Sequence, residues 1–390
     1  MSPERIAPSP MSLAVLTAIP PSPILATALD AETGLEALLD QPAFTAGDHR
    51  YDWRHVVLAA ALRGEWRAVE DAARAGLACD REAAQSTAAV LQPGAVDAAL
   101  RSFRYAHGLV SAQQAHDWLA RWQLGVDAWT AHFRRALLRE AFARELTAVA
   151  GRHDAAVRAD RRALAAAVHA DALCSGALGR FAHGLAGRAA TRARLESEGA
   201  PPAAAPDPAP VPARLHEMPA VLQGADDARL RAALDDVVAA EAAYERFAHE
   251  ALTERAIEAQ LAAHHLDWIA VSCRSLAFAG ARAEDAAREA ALCLREDGLD
   301  MVAVAAESRG ALGGGDFYLD QVEPALRDRL LGARAGELLG PVSIGGEWHL
   351  YELREKRLPT GRDPAVRRRA REAALRSAVE REIVSRVRWA

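Results

Sequence analysis

Lysine is almost absent from this chain: Lys356 is the only one in 390 residues, and arginine carries the rest of the positive charge. The skew reads as compositional bias. With a net charge of −6 the chain has no general phosphate-neutralising character, which sets nucleic-acid partners aside. Cysteine is scarce too, and Cys79, Cys174, Cys273 and Cys293 are scattered with no CxxC pair. That excludes a disulfide framework or a zinc knuckle and fits reduced cytosolic thiols. No stretch reaches the ~20 uninterrupted apolar residues of a membrane helix. The run Met11–Ile19 follows Glu4 and Arg5, ends at Pro20-Pro21 and precedes no small-residue cleavage site, so it does not read as a secretion signal. The expectation is a cytoplasmic protein with no membrane partner. Aromatic residues are only 5%, whereas 51% of the chain is apolar and alanine-rich, which favours helices packed closely through small side chains.

The length implies two or three domains. Residues 1–45 are proline-punctuated and read as an irregular arm, with a short helix near Glu36–Leu39. A helical domain follows over 46–199. In it Val56, Leu58, Leu62, Trp66 and Val69 recur at three- and four-residue steps, and Gly64 interrupts the run. Ser111 with Gln114 forms a capping-box signal, Asp127 a candidate cap, and Arg152 to Glu198 reads as one long helix. Six prolines in Ala200–Pro212 mark a stiff linker over 200–214. Helical periodicity resumes over Asp226–His264, within a segment assigned to 215–266. Strand-like Trp268–Phe278 then opens a compact domain over 267–358. Residues 359–390 form an arginine-rich amphipathic helix whose apolar face, from Val366 to Val387, is expected to pack on the helical module. The fold class is α+β.

The richest stretch is Gly313–Arg357. It runs from a glycine loop to a short helix, a Gly336-Glu337 turn, a Gly340-Pro341-Val342 strand, a Gly345-Gly346 hairpin and a closing strand. Trp348, Leu350, Tyr351 and Leu353 alternate with polar positions, as on a sheet with one buried face. With Trp268–Phe278 as first strand and Ala283–Glu296 and Leu299–Ser308 as helices, this order resembles a parvulin-type (PpiC-like) peptidyl-prolyl isomerase domain. Gly313–Leu319 stands for the family's glycine-aspartate loop and Val322–Leu331 for its third helix. The whole layout is similar to SurA-, PrsA- and NifM-like helical foldases. The segment around Phe103–Phe133 also resembles parvulin-related proteins of bacterial peptide-maturation systems.

The resemblance implies a mainly helical N-terminal module, a parvulin-like βαααβ-type domain and a returning helix. It implies an extended polypeptide client, in one version a precursor peptide with its modifying enzyme, and no cofactor. His349 matches the family's closing-strand histidine, and Cys273 is the thiol beside the first strand's polar position. Arg274, Met301, Asp316, Phe317, Leu319, Val322 and Leu326 would line the proline slot. The chain departs from the family at the first-strand histidine, where Arg274 or, with a one-residue slip, Ser275 stands, and at the aromatic floor. The leading reading is a peptide-binding accessory or foldase. An active prolyl isomerase is the alternative, since amide rotation needs transition-state binding and no nucleophile.

Thirteen histidines raise a third possibility, a metal-dependent peptide-modifying enzyme. His264-His265 are adjacent and diverge on a helix, His169 and Cys174 stand off the i, i+4 face, and no HExxH occurs, so no metal ligands are assigned. Gly310–Gly315 lacks the Lys-Ser/Thr of a phosphate loop and reads as a turn before a strand.

Overall fold

The computed structural model describes residues 37–87, 89–200, 219, 222 and 227–390. The arm over residues 1–36, with its apolar run, and the proline-rich linker over 201–214 lie outside the described residues. In chain order the elements begin with β1 (Pro42–Ala46), β2 (His49–Asp52), α1 (Trp53–Leu62), α2 (Glu65–Gln85), α3 (Ala95–Ala106), α4 (Ala112–Arg121) and α5 (Val126–Ala141). They continue with α6 (Leu146–Ala159), α7 (Arg161–Cys174), α8 (Ala177–Ser197), α9 (Asp227–Ala251), α10 (Glu254–Ala263), β3 (Ala270–Phe278), α11 (Ala283–Arg295) and α12 (Met301–Ser308). Last come β4 (Ala311–Tyr318), α13 (Pro324–Gly332), β5 (Leu338–Ile344), β6 (Glu347–Arg357), α14 (Pro364–Arg386) and β7 (Val387–Trp389). The class is α+β and mainly helical. No helix among the described residues is long and apolar enough to cross a membrane.

Two compact units share the chain. One comprises residues up to His249 together with Ala378–Ala390, and the other is Glu250–Ser377. The division therefore falls inside both the 215–266 segment and the C-terminal helix, not at their ends.

The first unit is a helical array with a large alanine-rich core and a smaller cluster around Cys79, Leu138 and Val149. Trp53, Val57 and Leu58 of α1, Trp66 of α2, Leu173 of α7 and Leu178, Leu185 and Ala186 of α8 are buried together in the large core. Small residues bring the axes close. A Cβ on Gly187 would stand 2.7 Å from Val379 Cγ1, so the glycine lets the end of α14 lie against α8. Local signals act as expected at several joints. Gly64 takes φ +74 between α1 and α2, and Ser111 and Gln114 close a capping box on α4.

Four sequence expectations for this unit and its border are corrected. The span Arg152–Glu198 is not one helix: Asp160 accepts from Ala163 N and starts α7, and Gly176 at φ +71 separates α7 from α8. Thr253 caps α10 and divides the run expected to continue to His264. Helix α5 starts at Val126 after Gly125, with Asp127 inside its first turn and not at the cap. Residues 42–45 of the supposed irregular arm belong to strand β1, which pairs antiparallel with β2 and, along its other edge, with β7. The stabilising partner comes from the opposite end of the chain, so no local pattern announces it.

In the second unit, four antiparallel strands lie in the order β4-β3-β6-β5. Cross-strand pairs share a face, and alternate residues change face. Val271 and Cys273 of β3 join Leu326 and Leu330 of α13 and Leu353 of β6 in one cluster. Leu276 and Phe278 join Ala287 and Ala291 of α11, Met301 and Val304 of α12 and Leu350 in another. Leu350 and Leu353, three residues apart, thus point to opposite sides, and both are fully buried. The closing strand is a centre strand covered on both faces, not one with a single buried face. A third cluster packs Ile257 of α10 and Val366 and Ala370 of α14 around Trp268.

The hairpin between β5 and β6 turns on Gly345 and Gly346 at φ +61 and +86, the sign a primed turn requires. The stretch read as a glycine loop is strand β4, with Gly313, Gly314 and Gly315 paired to Ser275, Arg274 and Cys273. Gly314 answers crowding: a Cβ there, at φ +149, would fall 2.5 Å from the Cys273 carbonyl oxygen.

Candidate functional site

Strands β3 and β6 are hydrogen-bonded neighbours, with Ala277 opposite His349, Ser275 opposite Tyr351 and Cys273 opposite Leu353. A register shift between Ser272 and Cys273 sets this alignment. Extending the same rows outward puts Gly313 and Gly315 of β4 beside Ser275 and Cys273, and Leu339 and Val342 of β5 beside Tyr351 and His349. One sheet face therefore gathers His349, Tyr351, Ser275, Cys273 and Phe317. The rings of His349 and Tyr351 stack with centroids 5.9 Å apart. A Cβ on Gly313 would meet Ser275 Oγ at 3.0 Å, so that hydroxyl leans over the glycine strand. Glu347 stands 3.6 Å from His349 Nε2.

The residues expected to line a slot divide between the two faces. Cys273, Phe317, Leu319, Val322 and Leu326 collect on the His349 side. Among them Leu319, Leu326 and Cys273 are core, at 0%, 2% and 4% exposure, while Phe317 and Val322 form the partly accessible rim. Arg274, Met301 and Asp316 belong to the other face. Arg274 pairs across to Gly314 and Glu352 and reaches Asp300 at 3.5 Å; with Asp300, Met301, Glu352 and Arg354 it lines a cleft of about 210 Å³. Asp316 is exposed and accepts from Arg357 at 3.2 Å. The one-residue slip is thus the geometry that matters: Ser275, not Arg274, shares the face of His349. Tyr351 was not among the expected lining residues, although its spacing of two from His349 on a strand points to it.

The chemistry of this face is hydrogen bonding in an apolar frame. Burial, and then Asp316, raise the Cys273 thiol to about 11, so it stays protonated at neutral pH and is a poor nucleophile. Burial also raises the Tyr351 phenol, with Cys273 and Glu323 adding to the shift. A hydroxyl, a phenol, a thiol and an imidazole beside Phe317 and Val342 suit an amide or carbonyl group of a guest chain.

The first unit holds two polar clusters that sequence reading did not find. His55 Nδ1 lies 2.6 Å from Asp52 and its Nε2 lies 3.8 Å from Asp236, whose other oxygen accepts from Arg192 at 2.9 Å. Arg192 continues to Glu196, and Glu196 to His49, each at 2.9 Å. Burial alone would lower the His55 pKa; Asp236 and Asp52 outweigh it and hold the imidazolium at about 9. The His55 contact, against the opposing effect of burial and with help from Arg192, pulls Asp236 down to about 2. Deeper in, Asp171 accepts from His132 at 2.8 Å and from Arg135 at 2.6 Å, all three buried. Asp52 with His55, Arg192 with Glu196, and His132 with Arg135 lie close in sequence, but the contacts that join these pairs to Asp236, His49 and Asp171 are long-range.

Among the described residues no group of three or more His, Cys, Asp or Glu side chains converges as a metal site. His264 stacks on Trp268 with centroids 4.7 Å apart and contacts Asp267, and His183 contacts Glu380. No protein-family model and no curated protein matches this chain.

Proposed function

We propose that the second unit binds an extended polypeptide over the sheet face of His349, Tyr351 and Ser275, and that the protein is a cytoplasmic peptide-binding accessory or foldase of the parvulin type. The observation that carries this reading is the side-by-side pairing of β3 and β6, which gathers hydrogen-bond donors and acceptors into one apolar frame. The glycine-rich strand β4 supports it. This strand is the sheet's end strand, exposed from Ala311 to Asp316, and among the described residues no further strand pairs with its outer edge, which suits a guest strand. The client class is an unfolded or precursor polypeptide held by main-chain hydrogen bonds with one side chain against Phe317 and Val322.

Prolyl isomerase activity is the second reading, favoured by the stacked His349–Tyr351 pair on the same face. A fluorescein-labelled, unstructured proline-containing peptide tests both. Binding is expected to weaken roughly fivefold to tenfold in Tyr351→Ala and His349→Ala, the loss of about one contact each. Unaltered binding in both variants would sink the site. Proline isomerisation above background that disappears in His349→Ala would establish catalysis in place of binding alone.

A further inference from the structure

The arginine-rich C-terminal helix is not explained by the sheet-face reading. From Arg354 onward the chain carries twelve arginines and lysines against five acids, a surplus of seven in a chain of net charge −6. Part of that charge is used internally. Arg367 makes a bidentate pair with Glu254 at 2.7 and 2.6 Å, and Arg369 pairs with Asp320 and lies 4.2 Å over the Tyr318 ring. Arg368 and Arg371 form no ion pair among the described residues.

These two arginines share a surface. Pro364, Arg367, Arg368, Arg371, Glu372 and Leu375 recur at three- and four-residue spacing, which is one face of α14, and with Leu252 they line an open, largely apolar groove of about 390 Å³. The opposite face of the helix is buried through Val366 and Ala370. The stripe spans twelve residues, from Pro364 to Leu375, so the groove extends over roughly 16 Å.

We propose that this groove docks an acidic amphipathic peptide segment. Carboxylates on the segment would take the fork-shaped donors of Arg368 and Arg371, and an apolar side chain would lie between Leu252 and Leu375. The composition of the groove selects peptide over nucleic acid. Its floor is aliphatic, offering no ring on which a base can stack, and the rest of the chain is strongly acidic and repels a long polyanion. The inference stands apart from the sheet face, because it uses none of its residues.

Fluorescence anisotropy of the full chain with a short fluorescein-labelled Asp/Glu/Leu peptide is the test. Its companions are the same peptide with lysine in place of every acid and an oligo-uridine RNA. The acidic peptide is expected to bind, more weakly as salt rises, and to lose about tenfold in Arg368→Glu/Arg371→Glu. Arg376→Glu, on the same helix but outside the groove, is expected to bind as the parent does. A melting curve of the double variant matching the parent confirms folding, and Leu375→Ala gives an independent loss through the apolar anchor. Equal binding of the lysine peptide or the RNA, no binding of the acidic peptide, or an unchanged affinity in the double variant would each overturn the proposal.

Discussion

His55 and His169 respond to pH in opposite senses, because one imidazole is clasped by carboxylates and the other is buried with only the Trp122 backbone opposing the loss of its proton. His55 holds its proton up to about 9 in the folded chain against an ordinary 6.5. Between those values the native state binds more protons than the unfolded one. The stability His55 contributes is therefore complete below about 6.5 and lost as pH rises through about 9. Burial lowers His169 to about 4, so there the unfolded state binds more protons and stability falls as pH drops from 6.5 toward 4. Each effect is worth at most about 3 kcal/mol. Urea midpoints measured across the pH range should peak near neutrality. His55→Gln should flatten the alkaline limb and His169→Gln the acid limb; parallel curves for parent and both variants would refute the assignment. At this scale the sequence was legible only where partners are local. Asp52 and His55 form a capping pair three residues apart, but nothing in the sequence links either to Asp236 or Arg192, which reach them only through the packing of α8 and α9.

At the scale of elements, β4 separates glycine needed for shape from glycine that is merely present. Gly314→Ala would drive a Cβ into the Cys273 carbonyl oxygen at a backbone angle that side chains rarely adopt, whereas Gly315 has nothing within 4 Å of that position. Gly314→Ala is expected to destabilise the second unit by roughly 2 kcal/mol or more, and Gly315→Ala by under about 1 kcal/mol, as read from chemical unfolding of each variant. Similar losses in the two would contradict the β3–β4 register. This strand also shows why periodicity failed. A strand whose residues are glycine and whose outer edge is exposed has no alternating apolar pattern, so it reads as a loop. The hairpin at Gly345-Gly346, the cap at Ser111 and the strand at Ala270–Phe278 were legible because their signals are held within a few residues. The division of candidate residues between two sheet faces was not, since it depends on pairing register. One step along the strand moves Ser275 onto the face of His349 and Arg274 off it.

For the whole molecule, the first unit is assembled from both ends of the described chain. Trp389 packs edge-on against Phe44 with centroids 5.4 Å apart, and Ala390 N donates to the Ala43 carbonyl. Deleting residues 387–390 should remove roughly 2 kcal/mol or more and strip amide-exchange protection from β1 and β2, while β3 keeps its protection. Full protection of β1 after the deletion would show the third strand to be dispensable. Nothing local announces this closure, because a three-residue strand after a long amphipathic helix carries no recognisable pattern.

That closure has a consequence for biosynthesis. During translation β1 and β2 leave the ribosome long before β7, and until then the nascent chain carries an unsatisfied strand edge next to Phe44. The first unit can finish folding only after the second has been made, so prematurely terminated products should collect as aggregates instead of as a stable helical fragment.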